Sequence, residues 1–197
     1  EPLSNLDAKL RSQTRVEIKR LLHRFQITAM YVTHDQTEAM ALGDQIAVMR
    51  DGRIEQVGSF QEILGNPVNS FVAGFLGLPP MNLIEGVVSG ERLRLDDQTI
   101  MLPKSIAVAT HEGQAVSLGI RPESAQVLDQ AGPSDKCVRL EGTVDVVEPD
   151  FGRRQQTAYV RSGDLQYSVT LPMTQRLVEG YPVEVCFPEE ALYFFDT

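Results

Sequence analysis

The stretch AMYVTHDQTEAMALGD, Ala29–Asp44, runs a short apolar, β-prone segment directly into a capped helix. Residues 28–33 are a short, mostly apolar, β-prone run that suits a strand buried on both faces of a parallel sheet. Residues 1–78 lack the strands that should flank it, so the expectation for this chain is unpaired edges that either pair with a second copy or stay poorly ordered. Asp35 and Glu38 have the spacing of a helix cap and its third residue, and Gly43 supplies the stop. His34 sits at the join, where a strand ends and a helix N-terminus begins.

Working outward, the N-terminal side carries apolar residues at Leu10, Ile18, Leu21, Leu22 and Phe25 after Asp7, which predicts an amphipathic helix with Asp7 as its cap. On the C-terminal side, QIAVMRDGRIEQVG (45–58) is two alternating runs joined by Asp51-Gly52, the dipeptide that most strongly signals a tight hairpin. In SFQEILGNP (59–67), Ser59 and Glu62 predict a capping box, Gly65 a stop and Pro67 a block to continuation. A last short helix, SFVAGFLG, leads into LPPMN (78–82), where the paired prolines mark a linker.

Beyond residue 80 the helical period fades. Short β-prone runs separated by Gly, Pro, Asp and Ser take over, the pattern of a small barrel or sandwich. An internal echo divides this region: IEGVV (84–88) resembles LEGTV (140–144), and VSLGIRPESA (116–125) resembles VEVCFPEEA (183–191), in the same order. Two similar β units are the expectation.

Charge separates the same two regions. Residues 1–78 hold 8 basic and 9 acidic side chains, whereas 79–197 hold 10 and 18, so nearly all of the net charge of −9 lies in the β region. Nucleic-acid backbones are bound by clustered Lys and Arg, and an acidic β region argues against that partner. Cys137 and Cys186 have no metal-ligand spacing, and the expectation is two unpaired thiols in a reducing compartment. No apolar run approaches the roughly 18–20 residues of a membrane span. His23, in the polar part of a helix, and His111, in a turn-like THEG, read as solvated.

EPLSNLDAKLR, the strand and helix around VTHD, and the trailing hairpin together resemble the C-terminal third of an ATP-binding-cassette (ABC) ATPase. The tail, through PPMN, RPE and the closing FD, resembles the regulatory tail of importers for maltose-like sugars and glycerol phosphate. VDVVEPDFGRR (144–154) only approximates that tail's pattern, which leaves the solute open. The fold class implied is α+β: an incomplete α/β RecA-like (P-loop NTPase) cassette portion over 1–78, followed by an all-β OB-fold-like (TOBE/MOBE) regulatory domain over 79–197, in two barrel units.

The resemblance gives roles to residues. Glu1 matches the carboxylate that positions the water attacking the γ-phosphate. Ser4, Asn5, Leu6 and Asp7 match the loop that crosses a nucleotide-sandwich dimer. His34 matches the switch histidine, whose imidazole donates to the γ-phosphate. Arg121, Pro122 and Glu123 form the regulatory-domain motif, and no metal ligands are expected from side chains. ATP and Mg2+ are implied for a full-length protein, with none expected on this chain alone, because it holds no G-x-x-x-x-G-K-[ST] phosphate loop and no signature sequence. On this reading the chain is a fragment that does not hydrolyse ATP by itself. The implied partners are transmembrane permease subunits, a second copy through cassette and tail, and a periplasmic or extracellular solute-binding protein, at the cytoplasmic face of the plasma membrane. The competing reading is a stand-alone β-barrel module that binds a ligand or regulator without ATPase activity.

Overall fold

A computed structural model describes residues 7–127 and 137–196. The chain forms two compact units, Glu1–Val68 and Asn69–Thr197. Of the residues with predicted roles, Glu1, Ser4, Asn5 and Leu6 lie outside the described residues.

In the first unit, α1 (Ala8–Phe25) begins where the Asp7 carboxylate accepts from the Leu10 amide at 2.8 Å, and it closes on Gln26 in the left-handed region. His23 and Arg24 in its last turn favour the negative end of the helix dipole. A short helix, α2 (Gln36–Leu42), is capped by Asp35. The hairpin of β1 (Ile46–Arg50) and β2 (Arg53–Gly58) turns through Asp51 and Gly52, both at positive φ, as the dipeptide predicts. In α3 (Phe60–Gly65) the Glu62 amide donates to Ser59 Oγ and the Ser59 amide donates to Glu62 Oε2, completing the predicted capping box.

The expected strand at 28–33 does not form. That segment is extended but unpaired among the described residues, with Met30 94% exposed and Val32 69% exposed. A strand acquires its backbone partners from neighbours, and the sole sheet among the described residues of this unit is the β1–β2 hairpin. The apolar stripe of α1 is where the sequence puts it, yet Leu10, Leu21 and Phe25 remain 44%, 48% and 60% exposed.

The second unit opens with α4 (Ser70–Phe75), capped by the Asn69 side chain on the Val72 amide. This helix packs on the sheet that follows, which places the boundary between compact units at Val68/Asn69, ahead of the Pro-Pro linker. Then come β3 (Asn82–Ser89), β4 (Arg92–Arg94), β5 (Thr99–Met101), α5 (Lys104–Ala109), β6 (Ala115–Ile120), a 3₁₀ turn at Pro122–Ser124 and β7 (Gln126–Val127). The echo continues with β8 (Cys137–Asp150), β9 (Gln155–Ser162), β10 (Leu165–Pro172), β11 (Pro182–Pro188), a 3₁₀ turn at Glu189–Ala191 and β12 (Leu192–Asp196).

These strands build two five-stranded antiparallel sheets, ordered β12-β6-β3-β4-β5 and β7-β11-β8-β9-β10. Each half contributes four strands to its own sheet and sends its last strand to the other. The sequence echo is therefore a structural one. Ile84 faces Leu118 and Gly86 faces Val116 in the first sheet, and Leu140 faces Val185 and Gly142 faces Val183 in the second. Both echo glycines are forced by packing. A Cβ on Gly86 would lie 2.8 Å from Leu93 of the adjacent strand, and one on Gly142 would lie 2.6 Å from Val160. One continuous core, including Ile84, Leu118, Leu140, Tyr167, Val185 and Phe187, draws on both sheets.

The two cysteines are not free thiols. Cys137 and Cys186 form a disulfide with a Cα–Cα separation of 5.8 Å, because the β8–β11 register sets them diagonally across adjacent strands.

Candidate functional site

His34 is exposed at the bend between Thr33 and the first residue of α2's cap. What fixes its place is a polar clamp on either side. Asp35 Oδ1 accepts from the Thr37 amide at 2.7 Å, from the Thr37 hydroxyl at 2.6 Å and from the Glu38 amide at 3.4 Å. These bonds, led by the Thr37 hydroxyl, hold the Asp35 carboxyl below its ordinary pKa range. The Asp35 amide donates in turn to the Thr33 hydroxyl at 3.0 Å.

Glu38 departs from its expected role. Its carboxylate does not return to the Asp35 amide. It is buried, and Oε2 accepts from the Thr33 hydroxyl at 2.7 Å and the Tyr31 hydroxyl at 3.1 Å. Burial, then the bond to Glu38, raises the Tyr31 phenol pKa. A buried carboxylate needs such donors to be tolerated. The result is a bridge that spans residues 31–38 and holds the bend bearing His34 from below.

Helix α1 is laced to α2 by three cations one turn apart. Arg11 Nη1 lies 3.9 Å from Asp35 Oδ2, Arg15 Nη1 donates to the Thr37 hydroxyl at 3.0 Å, and Lys19 Nζ donates to the Ala41 carbonyl at 2.9 Å. The turn that Asp7 caps is thereby tied to the residue beside His34, so two of the sequence-predicted positions belong to one small framework. The residues that tie them were not singled out from the sequence. Arg11, Arg15 and Lys19 recur at four-residue spacing, which is the signal that could have found them.

The other predicted motif lies in the second unit and has a different character. Arg121 is buried, and its Nη1 donates to the Leu76 carbonyl at the C-terminal end of α4 at 2.8 Å. Gly77 makes room for that contact: its φ is +126°, and a Cβ there would lie 2.9 Å from Arg121 Nη1. Pro122 is buried at the start of the 3₁₀ turn, and Glu123 is exposed. Arg121 therefore fastens the helix entering the β unit to the end of β6, and Glu123 alone of the three faces solvent. Among the described residues no cluster of His, Cys, Asp and Glu could hold a metal ion.

Comparison with known proteins gives this framework a context. The model of the MalK OB fold domain matches residues 77–125, from the end of α4 through the Arg121 turn. Over the whole chain, similarity extends to the xylose/arabinose import ATP-binding protein XacK of Haloferax volcanii, 39% identical over 100% of this chain and 51% of that protein. It extends also to the sn-glycerol-3-phosphate import ATP-binding protein UgpC 1 of Rhizobium johnstonii, 39% identical over 99% of this chain and 52% of that protein. The trehalose/maltose import ATP-binding protein MalK of Thermococcus litoralis is 40% identical over 100% of this chain and 54% of that protein. Along its whole length the chain is similar to import ATP-binding proteins.

It spans about half the length of the curated relatives it matches. The relatives named above are import ATP-binding proteins for sugars and a glycerol phosphate, in keeping with the resemblance of the tail. Among solved structures, the fold is similar to the cytoplasmic molybdate-binding protein ModG, at 13% identity and a TM-score of 0.47, covering 59% of this chain and 96% of that one.

Proposed function

We propose that this chain supplies the dimer-crossing loop, the switch histidine and the regulatory domain of an ABC transport ATPase that drives uptake of a sugar or a glycerol phosphate. The observation that carries the proposal is similarity of about 40% identity sustained over the full chain, from the segment around His34 to the last strand. Residues 1–78 then belong to a RecA-like nucleotide-binding domain, and 79–197 to the regulatory domain.

In this reading each residue acts through its own side-chain chemistry. His34 stands exposed ahead of a helix N-terminus, where an imidazole N–H can donate to a terminal phosphate oxygen and register its departure. The Glu38 bridge and the Arg11–Asp35 pair keep the bend in place, so the imidazole is positioned before nucleotide arrives. Glu1 positions the attacking water, and Ser4, Asn5, Leu6 and Asp7 reach across to a second copy. Asp7 does so while capping α1, so the loop and the helix share one anchor. ATP with Mg2+ is the substrate. Its phosphate cradle comes from a phosphate loop elsewhere in the working subunit, since none occurs in these 197 residues.

The partners follow from the importer reading: transmembrane permease subunits, a second ATP-binding subunit, and a solute-binding protein on the far side of the membrane. The working place is the cytoplasmic face, as a peripheral subunit. No helix among the described residues is long and apolar enough to cross a membrane.

The test is ATP turnover by the native transport complex. His34→Ala is expected to lower kcat by about 100-fold or more while leaving nucleotide affinity within a few-fold, since one preorganised donor at a developing charge is worth roughly 10²–10³ in rate. Unchanged turnover would remove His34 from the mechanism.

A further inference from the structure

The disulfide occupies a singular place in the strand exchange. Cys186 is the residue of β11 that pairs with Gln126 of β7 on one side and with Arg139 of β8 on the other. Cys137, the first residue of β8, stands opposite Pro188, the last residue of β11 before the chain turns away to become β12. The bond thus ties β8 to β11 at the residue that pairs with the exchanged strand β7, two residues before β11 gives way to the turn that leads into β12. β7 is only two residues long, so its own pairing with β11 is slight.

The other half of the duplication provides an internal control. By the shared register, Cys137 corresponds to Met81 and Cys186 to Gly119. There the methionine simply packs over the glycine: a Cβ on Gly119 would meet Met81 Sδ at 2.6 Å. One half fills the diagonal with an apolar contact, the other with a disulfide.

We infer that Cys137–Cys186 is a reversible redox staple that sets how firmly the two β halves hold their exchanged strands. Access is one-sided, because Cys186 is 2% exposed whereas Cys137 is half-buried. A low-molecular-weight thiolate attacks Cys137 Sγ, the S–S bond breaks, and Cys186 departs as a thiolate that takes up a proton. A second thiolate attacks the mixed disulfide, releasing the small disulfide and leaving Cys137 as a thiolate that protonates. Two electrons pass from the thiols to the protein, and oxidation by the small disulfide reverses every step. The inference is independent of the importer reading, since it concerns only the stability of the β unit.

The experiment equilibrates the full chain in glutathione buffers from fully reduced to fully oxidised, quenches with acid, alkylates and weighs the intact protein. Hydrogen exchange is followed in the same samples. One reversible two-electron transition is expected, with both cysteines alkylated at the reducing end and neither at the oxidising end. Reduction is expected to speed exchange by tenfold or more at 192–196 and 126–127, to leave β8–β9 unchanged, and to lower Tm by about 5–15 °C. Cys137→Ser should show the reduced pattern in every buffer, and the wild-type chain carries the test if that variant does not fold. Cysteines that remain alkylatable in fully oxidised buffer would overturn the inference. So would a bond that glutathione cannot reduce in the folded chain, or reduction that leaves exchange at β7 and β12 unaltered.

Discussion

The two units solve the burial problem in opposite ways. The second satisfies itself: each half lends a strand to the other, and Leu118, Leu140, Val185 and Phe187 are sealed in a core that both sheets share. The first has every local signal in order, including caps, a tight hairpin and a capping box, yet exposes Leu10, Leu21 and Phe25 of α1 and most of 28–33. Local chemistry suffices to make helices and turns. Only complementary neighbours make a sheet and a core.

This contrast can be broken or sharpened by substitution. The largest effect is expected in the shared core. Phe187→Ala should destabilise the β unit by about 3–5 kcal/mol in denaturant unfolding, whereas Leu21→Ala should change the stability of this chain by less than about 0.5 kcal/mol, because Leu21 is already half exposed. Equal effects would mean that the helix is covered as well as the sheet core is.

Next in size are the echo glycines. Gly86→Ala and Gly142→Ala each force a methyl against a neighbouring strand, and each should cost about 1–3 kcal/mol by the same measurement. A loss at only one of them would show that the two halves are packed less alike than their register.

Smaller still is the clamp below His34. Glu38→Gln keeps the shape but weakens the acceptor of two hydroxyls, and should cost about 1 kcal/mol and speed amide exchange over 35–38. The smallest effect is electrostatic. Asp35 is held below its ordinary pKa, so its contribution is full above the unfolded value and is lost as pH falls through the folded one. Asp35→Asn should flatten the acid limb of first-unit unfolding below about pH 4, and an unaltered limb would deny the cap that role.

Much of this organisation was legible in the sequence. Asp7, Asp35 and Ser59 stand at helix starts, Asp51-Gly52 turns the hairpin, and the repeated Glu-Gly and Pro-Glu segments mark equivalent strands. Each of these is written within a few residues of where it acts. What was not legible depends on distant partners. The β character of 28–33 and the lack of flanking strands in residues 1–78 were legible, but whether the run would still find a partner was not. The pairing of Cys137 with Cys186 follows from the β8–β11 register, 49 residues apart in sequence. Glu38 sat where a capping box would use it, and the hydroxyls of Tyr31 and Thr33 took its carboxylate instead.

The most direct test of this contrast is hydrogen exchange on this chain in isolation, read at three segments. Amides 28–33 should exchange at nearly unprotected rates, while 116–120 and 183–187 exchange only through unfolding of the β unit. Strong protection at 28–33 would contradict the account, for it would mean that the segment has found strand partners and that the first unit, like the second, completes itself.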